Sequence, residues 1–275
     1  MVQTHPVADG KAEIINNNST DEDNFEDAEE DIPKNGECSG INPEDFNLEK
    51  LPLRIAELAE SQVQYSLAPI GKEWKMFHHD GEMKLHLREE TINGHVVDPL
   101  KALHLVPGVT AHEMCHYFFK PEFRMAWEIT LDSFDVLHNI DDNTFISRNI
   151  HKRIWPTTQR DSIFWSHLKY ISNYNNSDSD VWIVSNRSCN YPLEEESKCI
   201  RVDMKVSLVC QTVVTGDESK RDNVSCKMVY CSTVHPGGWA PTPLLRQVYK
   251  KEYPRFMKRF TKYVKDQVKD KPVMM

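Results

Sequence analysis

The hydrophobic pattern is most regular near the end of the chain, from Thr242 to about Gln267. Apolar side chains recur there roughly every 3.6 residues, while lysines and arginines fill most of the other face. Thr242 followed by Pro243 predicts a helix start, with threonine as the N-cap and proline at the first helical position. Pro254 removes one backbone hydrogen bond within the run, so we expect a kink there rather than an end. The pattern predicts one long amphipathic helix with an aromatic stripe.

A second amphipathic helix is predicted over Leu51–Tyr65, and the segments between the two helices favour strands. The clearest strand is Ile200–Leu208, in which apolar and polar residues alternate strictly. The other predicted strands are Met83–Arg88, Val96–Val106, Trp127–Leu137, Thr144–Trp155, Ser162–Ile171, Val181–Ser188 and Val224–Val234. A run of strands between two helices predicts an α+β fold with an antiparallel sheet.

The first part of the chain has a different composition. Residues 1–47 are polar, asparagine-rich and strongly acidic over 21–31, and they contain too little apolar surface to fold alone. We therefore expect two parts, a disordered acidic tail over 1–47 and one folded domain over 48–275.

Composition narrows the class of protein. The 275 residues carry a formal net charge of -9, which argues against non-specific binding to nucleic acid. The seven cysteines are odd in number and form no Cys-x-x-Cys pair, which is typical of reduced thiols in the cytosol. No apolar stretch approaches the roughly 20 residues of a transmembrane helix, and the start lacks the apolar centre of a signal peptide. These features predict a soluble cytosolic chain.

One short sequence matches a metalloenzyme motif. His112, Glu113 and His116 form His-Glu-x-x-His, which on a helix places two imidazoles one turn apart beside a carboxylate. A zinc peptidase needs a third ligand. Glu128 is a poor candidate, because it falls in a predicted strand. The favoured alternative is an amphipathic helix whose histidines lie near the surface, and a zinc hydrolase is the weaker hypothesis.

Several short sequence segments, taken in order along the chain, resemble the StAR-related lipid-transfer (START) domain family. They lie at residues 98–102, 124–128, 151–156, 159–161, 182–184 and 236–241. The resemblance covers about residue 48 to the end and is closest to family members that carry ceramide. It implies a helix-grip fold, in which a curved antiparallel sheet wraps around the long C-terminal helix and encloses one lipid cavity.

The implied function is non-vesicular transfer of one ceramide between membranes, from the endoplasmic reticulum (ER) to the Golgi, without catalysis, cofactor or metal. A carrier of diacylglycerol, sterol or phospholipid with the same fold is the alternative. The resemblance implies a cytoplasmic protein that contacts ER and Golgi membranes peripherally and transiently.

The same resemblance assigns lipid-binding roles by position to Glu128, Asn149, Asn186 and Tyr230, with Arg124 nearby. A carboxylate accepts hydrogen bonds from hydroxyls, amides donate and accept, and a phenol donates. Asn149 stands where the family carries glutamine, so its amide is one methylene shorter.

Three further residues match the mouth of the family's cavity. Trp155 and Trp239 correspond to its two flanking tryptophans, and Pro236 opens the segment expected to act as a gate. Indole favours the membrane interface, so exposed tryptophans beside an opening predict docking on a bilayer.

The acidic tail contains Phe25, Asp27 and Ala28 within a run of carboxylates. This arrangement resembles the FFAT motif, which binds VAMP-associated proteins on the ER. Glu26 occupies the position where the motif usually carries a second aromatic residue. A tail that is only solvating is the alternative.

Overall fold

The computed structural model describes residues 50–92, 95–176, 180–193 and 197–275. The tail prediction, with Phe25, Asp27 and Ala28, lies outside these residues. The helices within them are α1 (Leu51–Leu67), α2 (Ala111–Phe119), α3 (Pro121–Trp127) and α4 (Thr242–Val268). None of the helices in these ranges is both long enough and apolar enough to cross a bilayer.

The strands are β1 (Lys75–Asp80), β2 (Met83–Leu87), β3 (Thr91–Ile92), β4 (His95–Val96), β5 (Leu100–Pro107), β6 (Leu131–Asp141), β7 (Thr144–His151), β8 (Arg160–Ile171), β9 (Val181–Ser188), β10 (Ile200–Arg201), β11 (Asp203–Val214) and β12 (Val224–His235). Nine of them follow the antiparallel order β1-β2-β5-β12-β11-β9-β8-β7-β6, and β10 joins β8 in parallel. The short strands β3 and β4 pair separately. The predicted α+β fold with an antiparallel sheet is confirmed.

The two faces of the sheet are covered by different helices. Helix α1 covers one face, where Val63 packs with Ile183 and Val209. Helices α2 and α4 cover the other, where Phe118 and Phe260 join the largest apolar cluster. Because each helix buries its apolar stripe, the sheet is enclosed on both sides. The side that faces α2 and α4 is called the inner face below.

The long C-terminal helix forms as predicted, but it begins one residue earlier. Pro241 is the N-cap, because its carbonyl accepts the first helical bond from the N–H of Leu245 at 3.0 Å. Thr242 is therefore the first helical residue and not the cap. The helix continues through Pro254, and its buried residues lie from Pro254 onward.

Several strand predictions need correction. Val181–Ser188 is confirmed, and Ile200–Leu208 is interrupted at Val202 between β10 and β11. The predicted strand Val96–Val106 is likewise divided into two strands, β4 and β5. Strand β7 ends at His151, so Trp155 lies in the following loop.

The predicted strand Trp127–Leu137 is wrong at its start. Pro121 begins the short helix α3, and Trp127 ends it with its indole fully buried. Its ring stacks on that of Phe118 with centroids 5.4 Å apart. Helix α3 is therefore held by packing on α2, a tertiary contact that the local pattern does not contain. The edge strand β1 was not predicted, because its residues are mostly exposed and polar.

Candidate functional site

Two of the predicted lipid-binding residues are buried amides on the inner face. Asn149 on β7 lies opposite Ser162 of β8, and Asn186 on β9 lies opposite Ser166 of β8. The amides are 2% and 1% exposed, respectively. Neither Oδ1 has a hydrogen-bond partner among the described protein atoms. Buried polar atoms in proteins are normally paired, so these two acceptors are suited to a ligand that brings its own donors.

Glu128 and Arg124 lie together at the end of α3. Glu128 is the C-cap of this helix, and its Oε1 accepts a hydrogen bond of 2.6 Å from the hydroxyl of Thr130. The Arg124 guanidinium lies 4.6 Å from the centroid of the Trp127 ring. Burial lowers the pKa of Arg124, and the nearby carboxylate of Glu128 acts in the opposite direction.

Between these two side chains, the described part of the chain shows only a through-space charge interaction and no side-chain hydrogen bond. The Arg124 Nε is also buried without a hydrogen-bond partner there. The carboxylate of Glu128 is therefore held by Thr130, and Arg124 influences it only through space. This arrangement leaves carboxylate acceptor capacity for a ligand.

Tyr230 on β12 completes the predicted set. Its ring lies 5.3 Å from that of Phe256 on α4, measured between centroids. Burial raises the pKa of Tyr230, and Tyr253 and Glu128 raise it further. The phenol therefore remains protonated at neutral pH and can donate a hydrogen bond.

Sequence reasoning missed His151. This residue follows Asn149 by two positions on β7, so both side chains point to the inner face. Its Nε2 lies 3.3 Å from the hydroxyl of Ser162. Burial lowers the pKa of His151, while Glu128 raises it and Arg124 lowers it. The period-2 alternation from Asn149 was the signal that could have identified this residue.

Comparisons with known proteins agree with this architecture. A START domain family model matches residues 56–270. The chain belongs to the START domain family. A human protein named "Ceramide transfer protein" is 40% identical over 232 residues, covering 80% of this chain and 36% of that protein. The corresponding protein of Xenopus laevis is 39% identical over 228 residues, covering 81% of this chain and 37% of its own length.

A solved structure shows the same START fold at lower identity. Human StAR-related lipid transfer protein 5 superimposes with a TM-score of 0.64 at 16% identity, covering 80% of this chain and 99% of that one. The chain spans little more than a third of the length of the two curated relatives. The START match therefore concerns this domain and not the whole length of those proteins.

The two tryptophans predicted at the mouth of the START domain are both exposed. Trp155 is 81% exposed and Trp239 is 55% exposed. Their loops are joined by Arg160, which donates from Nε to the carbonyl of Pro236 at 2.9 Å and from Nη2 to that of Trp239 at 3.0 Å. The same side chain donates to the carbonyl of Thr158 at 2.8 Å. Arg160 therefore links the loop after β7 to the predicted gate.

The gate segment has a backbone that requires glycine. Gly237 has a φ of +62°, and a Cβ there would collide with the carbonyl oxygen of Arg201. Pro236 is buried, whereas Trp239 projects outward. The segment therefore begins at a buried proline and exposes the indole of Trp239 to solvent.

The His-Glu-x-x-His sequence lies on α2 and has a structural role for its glutamate. Glu113 forms a capping box with Thr110 and accepts two bonds from Arg221, at 2.8 and 3.0 Å. Its Oε1 also accepts from the N–H of Met274 at 3.2 Å. The ring of His112 stacks on Trp182. Across the described ranges, no three His, Cys, Asp or Glu side chains are grouped as metal ligands.

Two surface pockets are lined by residues of the first half of α4 and by residues around Phe119 and Asn139, respectively. None of the five predicted lipid-binding residues lines either pocket. The enclosed cavity stays a prediction, supported by the unpartnered amides of the inner face.

Proposed function

We propose that this START domain binds one ceramide and carries it between membranes. The observation that carries the proposal is the pair of buried, unpartnered amide oxygens of Asn149 and Asn186, on the same sheet face as Tyr230. The name of the relatives, ceramide transfer protein, supports the same ligand.

The donor and acceptor groups of the site suit a ceramide head. Ceramide has three donors, two hydroxyls and one amide N–H, and the carboxylate of Glu128 and the two amide oxygens supply three acceptors. The phenol of Tyr230 can donate to the ceramide carbonyl. Arg124 places a positive charge near Glu128, and this carboxylate partly offsets the lowering of the Arg124 pKa by burial.

The remaining part of the ligand is apolar, and so is the surrounding face. Side chains of the cluster between the sheet and α4 would contact the two hydrocarbon chains, among them Leu208, Phe256 and Phe260. The domain would bind without forming or breaking a covalent bond.

Lipid exchange requires contact with a membrane. The exposed Trp155 and Trp239 would insert at the interface, and the Pro236 segment would open as the gate. The tail residues Phe25, Asp27 and Ala28 would bind a VAMP-associated protein on the ER. This cycle places the protein in the cytoplasm, peripherally at ER and Golgi membranes.

Transfer of labelled lipids between liposomes tests the proposal. Ceramide, sphingomyelin, cholesterol and diacylglycerol are each offered to the wild type and to the Glu128→Ala, Glu128→Gln and Trp239→Ala variants. Ceramide should be transferred selectively, and Glu128→Ala should lower its uptake about tenfold or more, because a hydrogen bond to a charged group is lost. Glu128→Gln keeps an acceptor and should lose less.

Trp239→Ala should slow transfer while leaving ceramide binding intact. Leu53→Ala is the matched control, because Leu53 is 71% exposed on α1 and belongs to neither proposed surface. Selective transfer of another lipid would replace ceramide as the ligand. Full ceramide uptake by Glu128→Ala would refute the proposed head-group site.

A further inference from the structure

Ser147 is a buried hydroxyl that the proposed lipid site does not use. It lies on β7 with 0% exposure, and its Oγ has no hydrogen-bond partner within the described ranges. Because Ser147 precedes Asn149 by two residues, both side chains point to the inner face. An unmade hydrogen bond at a buried hydroxyl is costly in the protein without ligand.

The strand register places Ser147 within the head-group site. Residues directly opposite each other on antiparallel strands share a face, so cross-strand pairs form rows. One row contains Asn149, and another contains Phe145, Ser166 and Asn186. Ser147 lies in the row between them, opposite Phe164. Its hydroxyl is therefore flanked by the two rows that carry the unpartnered amides.

The polar groups of a plain ceramide are all matched by other residues, so Ser147 is left without a hydrogen-bond partner on the ligand. The three donors of ceramide match the acceptors of Glu128, Asn149 and Asn186, and its carbonyl matches the phenol of Tyr230. The hydroxyl of Ser147 can both donate and accept, so it fits one more hydroxyl on the ligand. Ser147 lies between the two asparagines that would bind the polar head. A ligand hydroxyl that reaches Ser147 would therefore have to lie close to the amide of the ceramide.

We infer that Ser147 is a further lipid-binding residue, and that the site prefers a ceramide with a third hydroxyl beside its amide. This inference rests on the proposed function. The third hydroxyl can belong to carbon 2 of the acyl chain or to carbon 4 of the sphingoid base. Both positions supply the same chemistry, and the experiment separates them.

Ser185 offers a matched control on the opposite side of the sheet. It is also 0% exposed, and its Oγ also lacks a partner among the residues that the structure describes. It precedes Asn186 directly on β9, so its side chain points away from the inner face. Its cross-strand neighbour Ser207 is hydrogen-bonded to Ser66 of α1 at 2.8 Å. The two serines therefore differ chiefly in the face that they occupy.

The experiment compares three ceramides of equal chain lengths: one without the extra hydroxyl, one hydroxylated at acyl carbon 2 and one at sphingoid carbon 4. Binding of each is measured by competition with a fluorescent ceramide, for the wild type, Ser147→Ala and Ser185→Ala. The wild type should bind one hydroxylated ceramide about fivefold tighter than the plain one, as expected for one hydrogen bond. Ser147→Ala should abolish this ratio and still bind plain ceramide, while Ser185→Ala should keep it.

The melting temperature of the lipid-free protein supplies a second readout. Ser147→Ala should leave it unchanged or raise it, because an unpartnered hydroxyl is removed. A wild type that binds all three ceramides equally would overturn this inference alone. A preference that persists in Ser147→Ala would overturn it too. A wild type that binds no ceramide would overturn the proposed function and this inference with it.

Discussion

Asn149 shows how a single methylene can limit the reach of a polar group. Its amide is buried on the inner face, and its Oδ1 has no partner in the described chain. The family resemblance implies glutamine at the matching position, which would place the amide farther from the sheet. The shorter side chain of this protein would leave a longer distance to the lipid head.

Replacement of Asn149 by glutamine tests this effect. Asn149→Gln should bind ceramide several-fold tighter, because the longer side chain would shorten the hydrogen bond between its amide oxygen and the head group. The extra methylene should lower the free energy of unfolding by about 1 kcal/mol, since it enters a packed region. Ceramide competition measures the first quantity and urea unfolding the second. Asn149→Ala is the control and should weaken binding; unchanged binding in both variants would show that the amide does not contact the lipid.

The chain's own residues and the family resemblance contributed differently to the site. The resemblance located the five predicted lipid-binding residues, whose spacing spans several elements and has no local signature. Alternation along β7 was sufficient to place Ser147, Asn149 and His151 on one face. Burial and missing partners could not be predicted, because they depend on which helices cover that face.

At the scale of elements, periodicity predicted the structures whose apolar face is regular. Helix α4 and strand β9 are examples. It failed at α3, where a seven-residue helix is too short to show a period and Trp127 is fixed by packing on α2. The outer strand β1 pairs with β2 through backbone bonds while its side chains stay mostly in solvent. An edge strand of this kind has little hydrophobic pattern to detect.

The N-terminus of α2 is anchored by a buried ion pair. The side chain of Glu113 is 2% exposed and that of Arg221 is 16% exposed. Arg221 also donates to the carbonyls of Lys271 and Pro272, at 2.9 and 3.0 Å, respectively. The pair thus joins α2 to the segment that follows α4.

Removal of this arginine should destabilise the domain. Arg221→Ala leaves the Glu113 carboxylate buried without its cation, so the free energy of unfolding should fall by about 3 kcal/mol. Arg255→Ala is the matched control, because the Arg255–Glu252 pair is 58% and 37% exposed. That control should change stability by less than about 1 kcal/mol. Urea unfolding measures both changes. An equal effect of the two substitutions would show that the buried pair stabilises the domain no more than the exposed pair does.

The described domain as a whole encloses its sheet between helices, and this enclosure also buries imidazoles. Six histidines have a lowered pKa, and burial is the largest cause in each case. They are His86, His104, His116, His151, His167 and His235. They lie on five strands and α2, so their effect on stability belongs to the whole domain. The folded state therefore favours the neutral form of each imidazole.

Stability should therefore decrease as the solution is acidified. The pKa of an unfolded histidine is about 6.5, so below that pH the unfolded chain binds more protons than the folded one. The free energy of unfolding should fall as the pH decreases through about 6.5 and should level off below the folded pKa values. Urea unfolding at several pH values between about 8 and 5 measures this slope.

One histidine provides a control for the source of the slope. The Nδ1 of His104 is buried without a partner in the described chain, and neither the proposed head-group site nor the gate includes this residue. His104→Gln removes one titrating group and should make the slope shallower. Stability that stays constant over this range would contradict the argument. An unchanged slope in His104→Gln would assign the pH dependence to the other five histidines, because the unfolded chain would then gain no extra proton at position 104.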